Sequence, residues 1–297
     1  MKKIALTLFL LLLTVVSSQA AFIDSVPVGD WNAQFNNFTQ VYKPDGSLAT
    51  LGDRPTIGYY LKSEYNLNSV IPKGGGLPKW IPTATDQVAG FEYNTFFIAE
   101  TALGSGSFKQ WWGYNPTLGQ SPSELDLFER NPFVWNTGAT FAPQTGPVPL
   151  GTGGAGSPGT MTGINDAGAT TLALLQLLAH PDQSFAVDFP TLAADGWIAT
   201  SVITTNEVTA TGGGDIYADI IGGLLDSSIV HQLMGPAQIP ADFYLKFSYN
   251  INPPLYGFMV RSEDPADFSI AAVPEPSTIL LLGGGLLGLA FLKRRKS

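Results

Sequence analysis

The stretch Asp242-Phe243-Tyr244-Leu245-Lys246-Phe247-Ser248-Tyr249-Asn250-Ile251 decides the fold class. Phe243, Leu245, Phe247 and Tyr249 alternate with Tyr244, Lys246, Ser248 and Asn250, and a period of two sends successive side chains to opposite faces of a strand. One face is apolar and belongs in a core; Lys246 belongs on the other. The same composition, aromatic and β-branched residues bounded by Gly, Pro, Asn and Asp, recurs at 56–62, 90–99, 108–114, 197–211, 215–221 and 256–261. It predicts strands there. Gly212-Gly213-Gly214 lies between two such stretches, and its permissive backbone predicts a hairpin connection. Residues 167–180 are rich in Ala and Leu, with Asp166 placed as an N-cap and Pro181 as a stop, which predicts a helix. Residues 224–234 read either as a second short helix or as a strand and loop. Few helical crossovers are then available, so the expected architecture is mainly β: an antiparallel β-sandwich, jelly-roll-like, with one or two short helices.

Composition agrees with many short strands and turns. Of the 297 residues 13% are charged and 44% hydrophobic, with 33 Gly and 22 Pro. Six of the 15 basic residues (Lys2, Lys3, Lys293, Arg294, Arg295, Lys296) and one of the 24 acidic ones (Glu275) sit at the two ends, leaving the middle nine against 23, a net charge of −14. That balance repels phosphate backbones and anionic lipid, so no nucleic-acid partner is expected. Cysteine is absent, which removes disulfides, thiolate metal sites and thiol catalysis together and leaves stability to the core.

Both ends read as addresses rather than as parts of that core. Met1-Lys2-Lys3, an apolar run from Ile4 to Val16 and then Ser17-Ser18-Gln19-Ala20-Ala21 have the layout of a secretory signal peptide, residues 1–20, cut after Ala20. The other end reads Val273-Pro274-Glu275-Pro276-Ser277-Thr278, then uncharged residues from Ile279 to Leu292, then Lys293-Arg294-Arg295-Lys296-Ser297. As a helix, 279–292 would be about 21 Å long, a marginal single transmembrane segment against a core of about 30 Å. The basic cluster should stay in the cytoplasm, which leaves Pro-Glu-Pro at the outer face of the inner membrane.

That order of motif, short Gly-containing apolar segment and basic terminus resembles the PEP-CTERM sorting signal of Gram-negative bacteria, over residues 273–297 only. The resemblance implies recognition of Pro274, Glu275 and Pro276 by exosortase, a membrane cysteine transpeptidase, with 279–292 held transiently in the inner membrane and 293–296 as the stop. It also implies an exported protein of the cell surface or extracellular matrix, associated with exopolysaccharide, biofilm or floc. Between the two addresses lies an ectodomain, 21–272, and its Gly/Pro-rich stretch 143–160 is either a linker between two lobes or, as expected here, a long surface loop.

Chemistry-bearing patterns inside the ectodomain are sparse, and no catalytic residue is assigned. His180 and His231 lack a His-x-x-x-His or His-Glu partner, no Gly-x-Ser-x-Gly elbow accompanies them, and no Gly-rich stretch ends in Gly-Lys-Ser/Thr. Glu92, Glu100, Glu124, Asp126, Glu129 and Asp188 stand in aromatic surroundings, the ingredients of a secreted polysaccharide hydrolase, but spacing along the chain does not establish a catalytic separation. No metal ligand set is assigned; calcium is the one candidate ion, for the oxygen-rich loops Asp264-Pro265-Ala266-Asp267 and Asp215 with Asp219. Trp111-Trp112 and Trp135 are candidate sugar-stacking residues, since adjacent strand residues face opposite sides and one Trp of the pair is free to be exposed. A noncatalytic surface protein is therefore expected first and a carbohydrate-binding module second, with extracellular polysaccharide as the partner in either case.

Overall fold

The computed structural model describes residues 26–47, 49, 53–82, 87–130, 170–209, 211–226, 228–251 and 259–271. The signal segment 1–20 with Ala20, Trp135, the loop 143–160 and the sorting segment with Pro274, Glu275, Pro276 and 279–292 lie outside the described residues. Among the described residues no helix is long and apolar enough to cross a membrane.

Among the described residues twelve strands follow one another: β1 Gly29–Tyr42, β2 Tyr60–Pro72, β3 Gln87–Gly104, β4 Ser107–Tyr114, β5 Glu124–Arg130, β6 Thr170–Leu177, β7 Ile198–Asn206, β8 Thr211–Gly222, β9 Gln232–Met234, β10 Ile239–Ala241, β11 Phe243–Ile251 and β12 Met259–Ile270. Two one-turn helices, α1 Ser184–Asp188 and α2 Pro190–Ala194, separate β6 from β7. The chain is mainly β and antiparallel, as the alternation at 243–250 requires. Phe243 and Leu245 are buried and Lys246 is exposed.

Ten strands belong to one sheet, in the order β11-β12-β1-β2-β3-β4-β7-β8-β6-β5, and the further pairings β8–β11 and β3–β5 close it on itself. This replaces the expected sandwich of two separate sheets. The reason is that β3 and β8 are each long enough to serve two neighbours in succession. Residues 87–93 of β3 pair with β5 and 96–104 with β4; residues 211–216 of β8 pair with β7 and 218–222 with β6. Strands β1, β2, β3, β5, β6, β8, β11 and β12 thereby form a closed circuit, and β4–β7 forms a second arm between the same two forked strands. Closure leaves those eight strands with no free edge, which removes a template for aggregation.

At the fork of β3, Asn94 adopts a left-handed φ of 62° and Tyr93-Asn94 stand opposite Lys62 alone, a bulge that redirects the strand. Ser123, fully buried ahead of β5, donates to the Asn94 carbonyl at 3.1 Å and meets the Thr200 hydroxyl of β7 at 3.2 Å. The circuit encloses one cluster from all eight strands, including Trp31, Phe35, Leu67, Val88, Leu125, Leu175, Ile216, Phe243, Leu245 and Phe268. On the order of 25 cal/mol per Å² of apolar surface removed from water makes this the main stabilising element of a chain without disulfides.

Two local expectations are corrected and an open one is decided. The helix expected at 167–180 is strand β6 over 170–177, because Leu172, Ala173, Leu175 and Leu177 are buried between β5 and β8 and tertiary packing outweighs the helix propensity of Ala and Leu. Gly212-Gly213-Gly214 is strand interior rather than a hairpin; the turn precedes it, after Asn206. Its glycines are needed because β8 is squeezed between β7 and β11: a Cβ on Gly214 would stand 2.3 Å from the Val202 carbonyl oxygen and 2.6 Å from the Phe247 ring. Residues 224–234 resolve as a turn, a bridge from Ile229 to Ile270, and β9.

Candidate functional site

Both tryptophans of the pair are closed to solvent, Trp111 at 0% and Trp112 at 1% exposure. The alternation rule places them on opposite faces of β4, but each face is covered. Trp111 lies under the helical pair, 6.2 Å from Phe185 and 5.3 Å from Phe189 between ring centroids, with Lys109 Nζ 5.0 Å from its centroid. Trp112 meets Phe97 edge-on at 5.2 Å and shares a cluster with Val41, Ala49 and Leu61. Neither ring offers a face to a sugar, which overturns the expectation of an exposed stacking residue here. The cover is Phe185 of α1, Phe189 at the junction of the two helices and Leu192 of α2.

The carboxylates expected near aromatics are dispersed. Glu92 points to the inner face of the circuit, since it pairs with Leu125, a core residue. It is buried, accepting from the Tyr65 hydroxyl at 2.6 Å and from Thr95 Oγ1 at 2.9 Å, and burial raises its pKa against the pull of those donors. Glu124 and Asp126 flank Leu125 and so take the opposite face. Glu129 pairs with Val88, four positions along β3 from Glu92, roughly 13 Å at about 3.3 Å per residue and beyond the span of a glycosidase pair. Glu100 accepts from Arg54 Nη1 at 2.5 Å and from Gln110 Nε2 at 2.7 Å, and Asp188 is exposed at the end of α1.

The expected calcium loops are also rearranged. Asp264 to Asp267 are part of β12, and Asp267 pairs with Lys73 Nζ at 3.1 Å and accepts from Asn32 Nδ2 at 2.8 Å. Asp215 and Asp219 of β8 do not share a site. Asp215 faces His180, whose Nδ1 accepts the Asp182 amide at 3.2 Å, so that Nε2 carries the proton toward Asp215 Oδ1 at 3.1 Å. This histidine follows strand β6 by three residues. Burial, with Asp215 and Tyr217 alongside, raises the Tyr244 phenol. Next to it Asp182 is pushed up by partial burial but pulled down further, to about 2, by the Lys109 ammonium and Ser184.

Asp219 instead meets His231 and Asp242, a convergence no sequence motif announced. His231 Nδ1 lies 3.4 Å from Asp219 Oδ1 and 3.2 Å from Asp242 Oδ1, and one ligand atom from each residue falls within 4.8 Å of the others. The three come from β8, from the segment ahead of β9, and from the corner between β10 and β11. Asp242 Oδ2 accepts the Ile220 amide at 2.8 Å, and the Asp242 amide donates to Asp219 Oδ1 at 3.3 Å. Burial and then the Asp242 charge raise the Asp219 pKa, partly offset by His231. A signal was available only in three dimensions, because 11 residues separate His231 from Asp242 and the β9–β10 hairpin between them brings them together.

No curated protein and no solved structure matches this chain. A family description does match at its end, where the sequence places Pro-Glu-Pro, an apolar segment and a basic terminus in order. Residues 272–296 are a PEP-CTERM protein-sorting motif, and that motif implies export and sorting by exosortase to the bacterial surface.

Proposed function

We propose that the protein is a noncatalytic component of the cell surface or extracellular matrix of a Gram-negative bacterium, delivered by exosortase and associated with exopolysaccharide in biofilm or floc. The observation that carries this reading is the sorting motif at 272–296, immediately after the last strand of the domain. Pro274, Glu275 and Pro276 are the residues read by the enzyme. Proline disfavours the helical region for the residue before it, so a Pro-Glu-Pro sequence favours the extended form that a membrane protease accepts as a strand. Residues 1–20 are removed during export, and 279–292 with the cationic end hold the chain in the inner membrane until processing.

The domain supports this reading in two ways. A strand circuit without free edges and without cysteine suits an environment in which no chaperone or reductant maintains the fold. A net charge of −14 between the two ends disfavours docking on anionic lipid and leaves neutral polysaccharide and water as compatible surroundings. The test is a triple substitution, Pro274→Ala with Glu275→Ala and Pro276→Ala, in a host that has exosortase. Fractionation with mass analysis of the C-terminus should find the variant unprocessed in the inner membrane and the parent shortened and outside. Normal release of a shortened variant would remove the sorting assignment.

A further inference from the structure

We propose that Asp219, His231 and Asp242 form a binding site for a divalent cation of the zinc class, with one imidazole nitrogen and two carboxylates as protein ligands. The argument begins with what a proton alone achieves there. His231 Nδ1 carries at most one hydrogen, yet it faces two carboxylate oxygens at 3.2 and 3.4 Å. Both separations exceed the roughly 2.7–2.9 Å of a good charge-assisted N–H···O bond. They match the donor–donor edge of a tetrahedral site: bonds of about 2.0–2.1 Å place neighbouring donors about 3.3 Å apart. A cation at the common centre satisfies all three donors, where a single hydrogen serves two acceptors poorly.

Two further features favour a site over an accident of surface charge. The donors come from three separate segments, and the Asp242 side chain is only 14% exposed. Its outer oxygen is held by the Ile220 amide while Asp219 Oδ1 receives the Asp242 amide, the kind of second layer that orients carboxylates toward a metal. Two carboxylates kept this close and partly desolvated repel one another, and a divalent ion relieves that repulsion.

The donor set selects the ion. Calcium takes six to eight oxygen ligands, whereas imidazole with carboxylates suits zinc and its first-row neighbours. The His231 ring is about half exposed, so an ion in solution can reach the site. The segment carrying His231 also binds the end of β12: the Val230 amide donates to the Ser269 carbonyl at 2.9 Å and the Ala271 amide to the Ser228 carbonyl at 2.7 Å. Occupancy therefore ties β8, the β9–β10 hairpin and the last strand together one residue ahead of the sorting motif.

The experiment uses purified exported protein stripped with EDTA, followed by thermal unfolding and native mass spectrometry with zinc chloride or calcium chloride added. Zinc at a hundredfold excess over its Kd should raise Tm by about 5–10 °C, with one ion bound per chain, and calcium should not. His231→Ala, at an exposed position, should keep the Tm of the stripped protein and lose the zinc shift; Asp219→Asn should lose it too. Asp242→Asn should lose the shift and also lower the starting Tm, since it weakens the hold on the Ile220 amide. Absence of a zinc shift in the parent, an unchanged zinc shift in a folded His231→Ala variant, or a larger shift with calcium would each overturn the proposal.

Discussion

The β5–β6 arm and the β4–β7 arm span the same two forked strands, yet they are built from different chemistry. The β5–β6 arm contributes Leu125, Leu127, Leu172, Ala173, Leu175 and Leu177 to the interior of the circuit. The β4–β7 arm is aromatic, with Trp111 capped by Phe185 and Phe189 on one face and Trp112 seated against Phe97 on the other. An arm that closes a ring needs one filled face toward the shared core. An arm outside the ring must recruit cover for both faces, and here α1–α2 and the end of the β1–β2 hairpin supply it. The aliphatic arm is therefore coupled to the whole core and the aromatic arm to local lids.

Trp111→Ala gives the largest expected effect, a loss of about 3–5 kcal/mol by urea unfolding. Because its partners lie on α1–α2, hydrogen exchange in 184–194 should rise more than in β1 or β12. A cost below about 1 kcal/mol would show that the helical lid is not a packing element. Leu175→Ala should cost about 2–4 kcal/mol and raise exchange around the entire circuit, β1 and β12 included. Exchange changes confined to β6 would break the contrast between the two arms.

A subtler pair of variants probes the fork of β8. Gly214→Ala drives a methyl into the Val202 carbonyl and the Phe247 ring and should cost about 1–3 kcal/mol, whereas Gly222→Ala, whose added Cβ first meets Leu174 Cβ at 4.0 Å, should be near neutral. Equal effects from the two would mean that the close approach of β7 and β11 to β8 is not a constraint.

The smallest effects are electrostatic, and the forked strand β3 and the aromatic arm differ in sign. Burial raises the Glu92 pKa above its ordinary 4.5, so the folded state holds that proton more tightly than the unfolded chain. Its contribution is complete below pH 4.5 and is lost as pH rises through the folded value; Glu92→Gln should flatten the decline above pH 4.5. Asp182, beside the aromatic arm, is lowered from 3.8 to about 2, so its contribution is present above pH 3.8 and disappears as pH falls toward 2. Asp182→Asn should flatten that acid limb and leave the limb above pH 4.5 unchanged. The opposite assignment of limbs in pH-dependent melting would refute both.

Legibility followed the same division. Strands β4, β7, β8 and β11 were readable because aromatic and β-branched residues alternate with polar ones, the signature of a half-exposed pleated surface. Strand β6 is easily taken for a helix because Leu174 stands on its half-exposed face while Ala173, Leu175 and Leu177 fill the buried one, which hides the period of two and leaves a composition that favours a helix. Strands β1 and β5 escaped notice for a related reason: Asn36-Asn37 and the charged residues at 124, 126, 129 and 130 mask the apolar positions between them. The tryptophan pair is divided between two faces as the alternation requires, but the one expected to be exposed is covered as well, since the lid over Trp111 lies more than 70 residues away in the chain.

What the amino-acid order determined by itself is the antiparallel β class, the acidic cysteine-free domain and the sorting motif at 272–296. These depend on local pattern and composition alone. What only the tertiary structure decided is the closure of the sheet through β3 and β8, the burial of both tryptophans, and the meeting of Asp219, His231 and Asp242. Each of those depends on which distant segments share a neighbour, and pairing between strands is selected by the packing of the whole core rather than by any stretch within it.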